Sequence, residues 1–316
     1  MSYQLQDINE AIRQDLEGFI EDCDLAYQTK VSNAADAIIA NMEHSQIVLL
    51  SGPSGSGKTT TALKIEEELR RRGILSHTIS MDNYFRTLTE ETAPRNEAGE
   101  VDFESPNYMD MALLLEHFAM LEEGGEIIVP KFEFTRQMRN EALGYPLRLA
   151  KNEVAIFEGI HALNDDIAGR HDGATGIYIS ARSDILEEEE LRFKGTWMRL
   201  TRRAVRDHQF RGTGVGETLR MWSNVRRGEK LYISPFKERA KITIDSSFPY
   251  EVSVMKNFAT PLLEAVLEEV PEGNPRRDEL LHLINAFSSF EPIDPRYIHA
   301  DALIREFIGG GSYHYK

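Results

Sequence analysis

The sequence predicts an α/β fold, a mainly parallel sheet flanked by helices, with helical additions at the N and C termini. Two observations carry this. Short continuous apolar runs recur, of the kind buried on both faces of a parallel sheet. Stretches of helical periodicity fill several of the intervals between them. The first run, residues 46–50, passes at once into a glycine-rich loop and a helix over 60–72 that Gly73 ends. Further strands are expected at 76–81, 127–129, 154–157, 176–180 and 242–244, with helices over 109–123 and 186–210. Upstream, Leu5, Ile8, Ile12, Leu16 and Ile20 recur at helical spacing, and a second periodic stretch runs over 26–42. Downstream, helices are expected over 258–269 and 277–288, separated by Pro271, Gly273 and Pro275. This divides the chain into a helical extension (1–45), a central domain (46–256) and a C-terminal helical extension packed on it (257–316). The polar segment 87–100, with Pro94 and Gly99, reads as a mobile loop beside the site.

Composition narrows the function classes. The 316 residues are 41% hydrophobic and 28% charged, ordinary for a soluble globular protein. No apolar run reaches the ~20 residues that a membrane helix needs, and the first residues lack a signal-peptide pattern. Cys23 is the only cysteine, which excludes an intramolecular disulfide and a cysteine zinc site. A cytoplasmic location is expected. The net charge of −16 argues against non-specific binding to nucleic acid or anionic membranes. Yet Arg192, Lys194, Arg199, Arg202, Arg203, Arg206 and Arg211 cluster together, followed by Arg220, Arg226, Arg227 and Lys230. A cationic patch on an acidic chain suggests a local site for a highly charged anion.

Gly52, Gly57, Lys58 and Thr59 match the phosphate-loop pattern G-x-x-x-x-G-K-[ST], between an apolar strand and a helix as the pattern requires. Pro53, Ser54, Gly55, Ser56 and Thr60 complete the expected nucleotide-binding loop and first helical turn. Its glycines let successive N–H groups point inward at phosphate oxygens, and the following helix adds its positive end. Lys58 would reach the β- and γ-phosphates of ATP, and the Thr59 hydroxyl would ligate Mg2+. The predicted fold is therefore of the P-loop NTPase type. Phosphoryl transfer also needs a metal ligand and a group that takes the acceptor's proton. Asp82 follows the strand at 76–81, and Glu158 follows the apolar run 154–157 in a Walker B-like position. Alone, Asp82 reads equally well as a turn or cap residue and Glu158 as a solvated carboxylate. The phosphate loop upstream favours the functional readings.

Five linked segments then resemble the uridine kinase and phosphoribulokinase family of P-loop kinases. They are Met81-Asp-Asn-Tyr-Phe85, Phe103-Glu-Ser-Pro106, Pro130-Lys-Phe-Glu-Phe134 with Arg139, Phe157-Glu-Gly-Ile160, and the arginine-rich run from Arg199 to Asp207, in order over about 46–244. Segments such as Phe210-Arg-Gly-Thr213, Met221-Trp222 and Arg305-Glu-Phe-Ile-Gly-Gly310 bring the chain closer to bacterial uridine kinase-like nucleoside kinases. Many of those carry a preceding domain related to the N-terminal region of threonyl-tRNA synthetase, which residues 1–45 are expected to lack. The resemblance implies that Asp82 is the catalytic base and also approaches Mg2+, with Thr59 and Glu158 in the metal shell. It implies a lid near 186–215 whose Arg206 and Arg211 meet phosphate, while Arg203 faces the acceptor. On a generic helix these arginines read as a solvated, ion-paired face. Tyr84, Asp102, Glu104 and Arg139 are expected substrate contacts.

The match weakens where a pyrimidine would be read. Phe132 stands for the family's tyrosine, Gln137 for its histidine, Met221 for a glutamine, and Thr213 for a lid arginine. Phe132, Gln137 and Met221 remain candidate substrate residues, for stacking or for an acceptor without a pyrimidine. Each unpaired polar group on a buried base would cost ~1–3 kcal/mol. His161 reads as a structural residue rather than a catalyst, and the tail 309–315 as flexible, or held by packing or a subunit contact.

The expected activity is transfer of the ATP γ-phosphate to a small alcohol, the 5′-hydroxyl of a nucleoside by the family's default. The alternatives are another hydroxylated metabolite (a sugar, a sugar phosphate or a pantothenate-like alcohol), or a regulatory protein that uses the loop as a switch. A homo-oligomer is expected from the resemblance.

Overall fold

Every residue of the strand Ile47–Ser51 is buried, so both faces of the sheet it joins must be covered. A computed structural model describes residues 2–315, to which all structural statements refer. Five strands pair in parallel in the order Ile242–Asp245, Thr175–Ser180, Ile47–Ser51, Glu153–Glu158, Leu75–Ser80. Successive side chains alternate between faces. Val48, Leu50, Ile156, Ile177 and Ile179 enter one core, which the helices at both ends of the chain complete through Ile20, Val31, Ile38, Val252, Met255 and Phe287. Leu49, Ile79, Phe157 and Tyr178 enter the other, beneath Leu114 and Phe118 of the helix Met111–Glu122. The terminal helices thus share the sheet's own core. The helix Leu16–Asn41 is also tied by polar contacts to what surrounds the phosphate loop. The Tyr27 and Thr61 hydroxyls lie 2.6 Å apart, Lys30 donates to the Asp245 carbonyl at 2.8 Å, and Tyr250 donates to Asp24 at 2.8 Å.

Two sequence expectations are corrected. Ile127–Val129 is a strand but lies outside the parallel sheet, pairing antiparallel with Tyr145–Leu147. Ile128 is 55% exposed, so the run has only one covered face. The helix expected from 186 begins only at Gly195. Before it, Asp184–Glu187 and Glu190–Phe193 form an antiparallel hairpin, and Ser2–Gln4 adds a parallel edge. Ile185 and Phe193 are buried as cross-strand partners, a single inward apolar side chain on each strand that the intervening glutamates conceal. The chain turns through Glu188 in the left-handed region at φ 56°. The helices Leu5–Gln14 and Pro275–Ser288 fall in their expected regions, whereas the helix expected over 258–269 already begins at Glu251. The segment 87–100 has no helix or strand. No helix among the described residues is long and apolar enough to cross a membrane.

The helix Gly195–Phe210 is fastened to the phosphate loop at its middle. Arg202 has no exposed surface. Its guanidinium forms a two-point ion pair with the equally buried Glu251 and donates to the carbonyls of Gly55 (3.1 Å) and Ser246 (2.7 Å). Removing one partner of such a pair leaves a buried charge uncompensated, at a cost of about 3–5 kcal/mol. Arg202→Met should lower unfolding free energy in urea by that amount, and Arg202→Met with Glu251→Leu should recover much of it. A single-variant loss under about 1 kcal/mol, the range of exposed pairs, would show that this junction does not hold the helix.

Candidate active site

Three adjacent parallel strands deliver chemistry to one end of the sheet. Ile47–Ser51 leads into the glycine-rich loop, Leu75–Ser80 into the single turn that carries Asp82, and Glu153–Glu158 ends on Glu158. Leu50 and Ser80 flank Glu158 in register, which brings the loop, the base candidate and the metal-ligand candidate together. The loop runs in close contact with its surroundings. A Cβ at Gly52 would overlap the Ile179 carbonyl oxygen, and one at Gly55 (φ 75°) would sit 2.7 Å from that of Arg199. At Gly57 (φ 79°) a Cβ would stand 2.7 Å from Leu303. Only glycine permits these turns and approaches.

The cavity at this end has a volume of about 200 Å3. Lys58, Thr59, Asp82 and Glu158 line it together with Arg203, Arg206 and Arg211, and its wall also holds Glu104, Glu306, Phe85 and Phe103. The expected catalytic, metal and phosphate-contacting residues are thus brought into one space. Pro53, Ser56 and Thr60 belong to the loop wall behind it, and the Ser56 hydroxyl is buried without a partner.

The electrostatics are those of opposite charges drawn out of water. Desolvation raises Asp82, opposed by Lys58 and Arg211. It raises Glu158 to about 7 against the pull of Lys58, and Glu104 to about 7 against Arg203 and Lys58. Desolvation likewise lowers Lys58, which Glu158 and Asp82 oppose. Both carboxylates near 7 can therefore change protonation state in the neutral range. The three arginines are arranged by one residue, Asp207. It accepts from Arg206 at 2.9 and 2.8 Å, pairs with Arg203 at 3.3 Å and stands 3.7 Å from Arg211. Arg203 also donates to the Ser54 hydroxyl at 3.1 Å. Buried Arg199 is occupied by Glu229 (2.8 Å) and the Ser54 carbonyl (3.2 Å). These contacts bear on the helix expected to act as a lid. The helix is held to the loop at Arg199 and Arg202, and its distal part, from Arg203 onward, projects side chains over the cavity.

Several expected substrate contacts lie elsewhere. Tyr84 is fully buried with its hydroxyl 2.9 Å from His117 Nδ1. Asp102 is paired with Arg227 (2.7 Å) and Tyr232 (3.0 Å). Arg139 is occupied by Asp110 and the carbonyls of Tyr84 and Phe85. Phe132 packs edge-on to Phe85 rather than lining the cavity. Gln137 is exposed at the turn of the short hairpin Phe132–Arg139, with φ 52°. Met221, on the helix Val215–Gly228, does not reach the cavity wall. Sequence reasoning missed Asp207, although its spacing from Arg203 and Arg211 is the helical i,i+4 interval. It also missed Phe85 and Phe103 as cavity residues, and Glu306, whose segment Arg305–Gly310 was singled out only for its resemblance.

The family model described as phosphoribulokinase / uridine kinase family matches residues 47–252. The chain belongs to this family. It is thus an ATP-dependent phosphotransferase that acts on an alcohol. Among relatives, the uridine kinase of Staphylococcus haemolyticus (strain JCSC1435) is 27% identical over 216 residues, covering 67% of this chain and 93% of its own length. That of Borreliella burgdorferi (strain ZS7) is 30% identical over 200 residues, covering 63% and 85%. In fold, the chain is similar to a candidate fructose transport system kinase from Silicibacter sp. TM1040, with TM-score 0.50 and 17% identity. That alignment spans 68% of this chain and 98% of the other.

Beside the family's phosphate loop, His161 is almost fully buried, and its Nδ1 has no hydrogen-bond partner. Burial pushes its imidazole down to about 4, against about 6.5 in an unfolded chain. Because the folded value is the depressed one, this stability contribution is whole above about pH 6.5 and is lost as pH falls toward 4. His161→Asn should flatten the loss of urea stability between about pH 7 and 5 relative to the parent. An unchanged slope would contradict a neutral buried imidazole.

Proposed function

We propose that this chain transfers the γ-phosphate of ATP to a hydroxyl of a nucleoside-like alcohol. What carries the reading is the convergence of Asp82, Lys58 and the Asp207-aligned arginines on a cavity whose remaining wall holds Glu104, Phe85 and Phe103. Backbone N–H groups of the glycine loop and the Lys58 ammonium hold the donor's phosphates. Asp82 accepts the acceptor hydroxyl's proton, which raises the nucleophilicity of its oxygen. That oxygen forms the new bond to phosphorus as the bond to the ADP oxygen breaks, and ADP leaves. Arg203, Arg206 and Arg211 offset charge on the transferring group.

The donor set fits Mg2+. One hydroxyl and two carboxylates (Thr59, Asp82, Glu158) make a partial oxygen shell of the kind that leaves room for phosphate and water ligands. No cluster of three or more acids, histidines or cysteines exists among the described residues to form an all-protein cage. Thr59 and Glu158 would hold the ion, which supplies charge neutralisation to the phosphates.

Glu104 suits vicinal hydroxyls, while Phe85 and Phe103 offer apolar faces to a flat or hydrophobic body. A nucleoside combines both features. One observation favours the second reading, another hydroxylated metabolite. Phe132 and Gln137, at the base-reading positions, offer the cavity no side-chain donor.

Two measurements test the proposal. A coupled ADP-release screen over nucleosides, sugars and sugar phosphates should find an acceptor that raises turnover above the acceptor-free rate; none doing so would sink the kinase reading. Uridine and cytidine failing while another alcohol succeeds would select the second reading. Asp82→Asn should lower turnover by about 100-fold or more, the range of general-base contributions, with ATP affinity retained. Retained turnover would remove Asp82 as the base.

A further inference from the structure

The C-terminal segment does not trail into solvent. It comes back onto the first turn of the phosphate-loop helix Lys58–Arg71. Glu306, 8% exposed, accepts hydrogen bonds from the Thr60 backbone N–H at 3.3 Å and from the Thr60 hydroxyl at 2.5 Å. The Tyr315 hydroxyl closes on the same Thr60 oxygen at 3.1 Å. Glu306 also lines the cavity that holds Lys58, Arg206 and Arg211.

The segment around Glu306 is built as a unit and clamped in place. Arg305 gathers the carbonyls of Pro295 (2.8 Å), Ile298 (2.6 Å) and Gly309 (3.2 Å), and the Ser312 N–H donates to the Ala300 carbonyl at 2.8 Å. Gly309 and Gly310 take the left-handed φ values of 79° and 70° that turn the chain back. From this segment, Asp301 pairs with Lys64 at 2.7 Å and Tyr313 donates to Glu67 at 2.6 Å, both partners lying on the phosphate-loop helix.

In a loop of this pattern, backbone N–H groups at the start of the helix are the donors that cradle the α- and β-phosphates. Here one of them already binds an anionic oxygen of the protein itself. Two anions cannot share one N–H donor, and a carboxylate beside a polyphosphate adds like-charge repulsion in a partly desolvated site.

We infer that residues 295–315 form an autoinhibitory strap, in which the Glu306 carboxylate occupies the Thr60 donors that a nucleotide's phosphates require. ATP binds only when the Glu306 side chain swings off Thr60 and the tail from Gly309 onward lifts, while Leu303, Ile304 and Phe307 stay in the core. The inference rests on the reading of this loop as the nucleotide site. A strap closed nine-tenths of the time weakens apparent ATP affinity about tenfold, because affinity scales with the competent fraction. The device suits a kinase that should leave ATP untouched until a partner or substrate favours the open strap.

The test uses the full chain, with ATP and Mg2+ as probe in isothermal titration. Glu306→Gln keeps the side chain's size and removes its charge; Tyr315→Phe removes the second contact without touching the cavity wall. Glu306→Gln should bind ATP about tenfold more tightly than the parent and Tyr315→Phe by a smaller factor in the same direction. Hydrogen exchange of the parent should rise at 309–315 on adding ATP. Parent and Glu306→Gln binding ATP equally, the variant binding more weakly, or ATP protecting 309–315 from exchange would each overturn the strap while leaving the nucleotide site intact. ATP binding to neither chain would overturn the nucleotide site itself, and the strap with it.

Discussion

Arg202 is charged and completely buried, and the shape of the active-site end follows from satisfying it. Its guanidinium meets Glu251 at the start of one helix, the Gly55 carbonyl inside the phosphate loop and the Ser246 carbonyl just beyond a sheet strand. The Phe307 ring lies 5.1 Å away, against the guanidinium. One side chain therefore joins the arginine helix, the phosphate loop, the sheet and the C-terminal segment. A buried ion pair is weak support for stability against an apolar alternative. It is strong support for a unique arrangement here, since each of its partners comes from a different element.

That junction divides the arginines of one helix into two kinds. Arg199 and Arg202 face the loop backbone and are neutralised by Glu229 and Glu251. Arg203 and Arg206, with Arg211 just beyond the helix, turn toward the cavity, where Asp207 holds them in a fan. Five cations in a short stretch of an acidic chain would otherwise repel one another. Assigning two of them to buried carboxylates leaves three to meet phosphate. The mobile part of such a helix is its free end, because opening the middle would expose an ion pair with no water around it.

The acceptor side is built differently. Phe85 packs edge-on against Tyr108, Phe132 and Phe134, and Phe103 stacks on Tyr108. Only Phe85 and Phe103 reach the cavity. Gly228 makes room for Glu104, since a Cβ there would overlap that side chain. The carboxylate is thereby held between a helix and an aromatic shelf.

From the sequence by itself came the α/β class, the loop at Gly52–Thr59 and both strand-end acids, while Arg203, Arg206 and Arg211 came only with the family resemblance. The former were legible because they depend on local pattern: continuous apolar runs, a fixed loop spacing, and the chain positions where parallel strands end. Tyr84, Asp102 and Arg139 read equally well as site residues, yet each is taken up by a partner distant in sequence: His117, Arg227 and Asp110. The hairpin at 184–193 was hidden because its glutamates mask two inward apolar side chains. Glu306 is the extreme case. A carboxylate 246 residues from the threonine it caps has no local signature. Only tertiary structure decides such pairings, since burial and partner choice belong to the folded surface and not to neighbours along the chain.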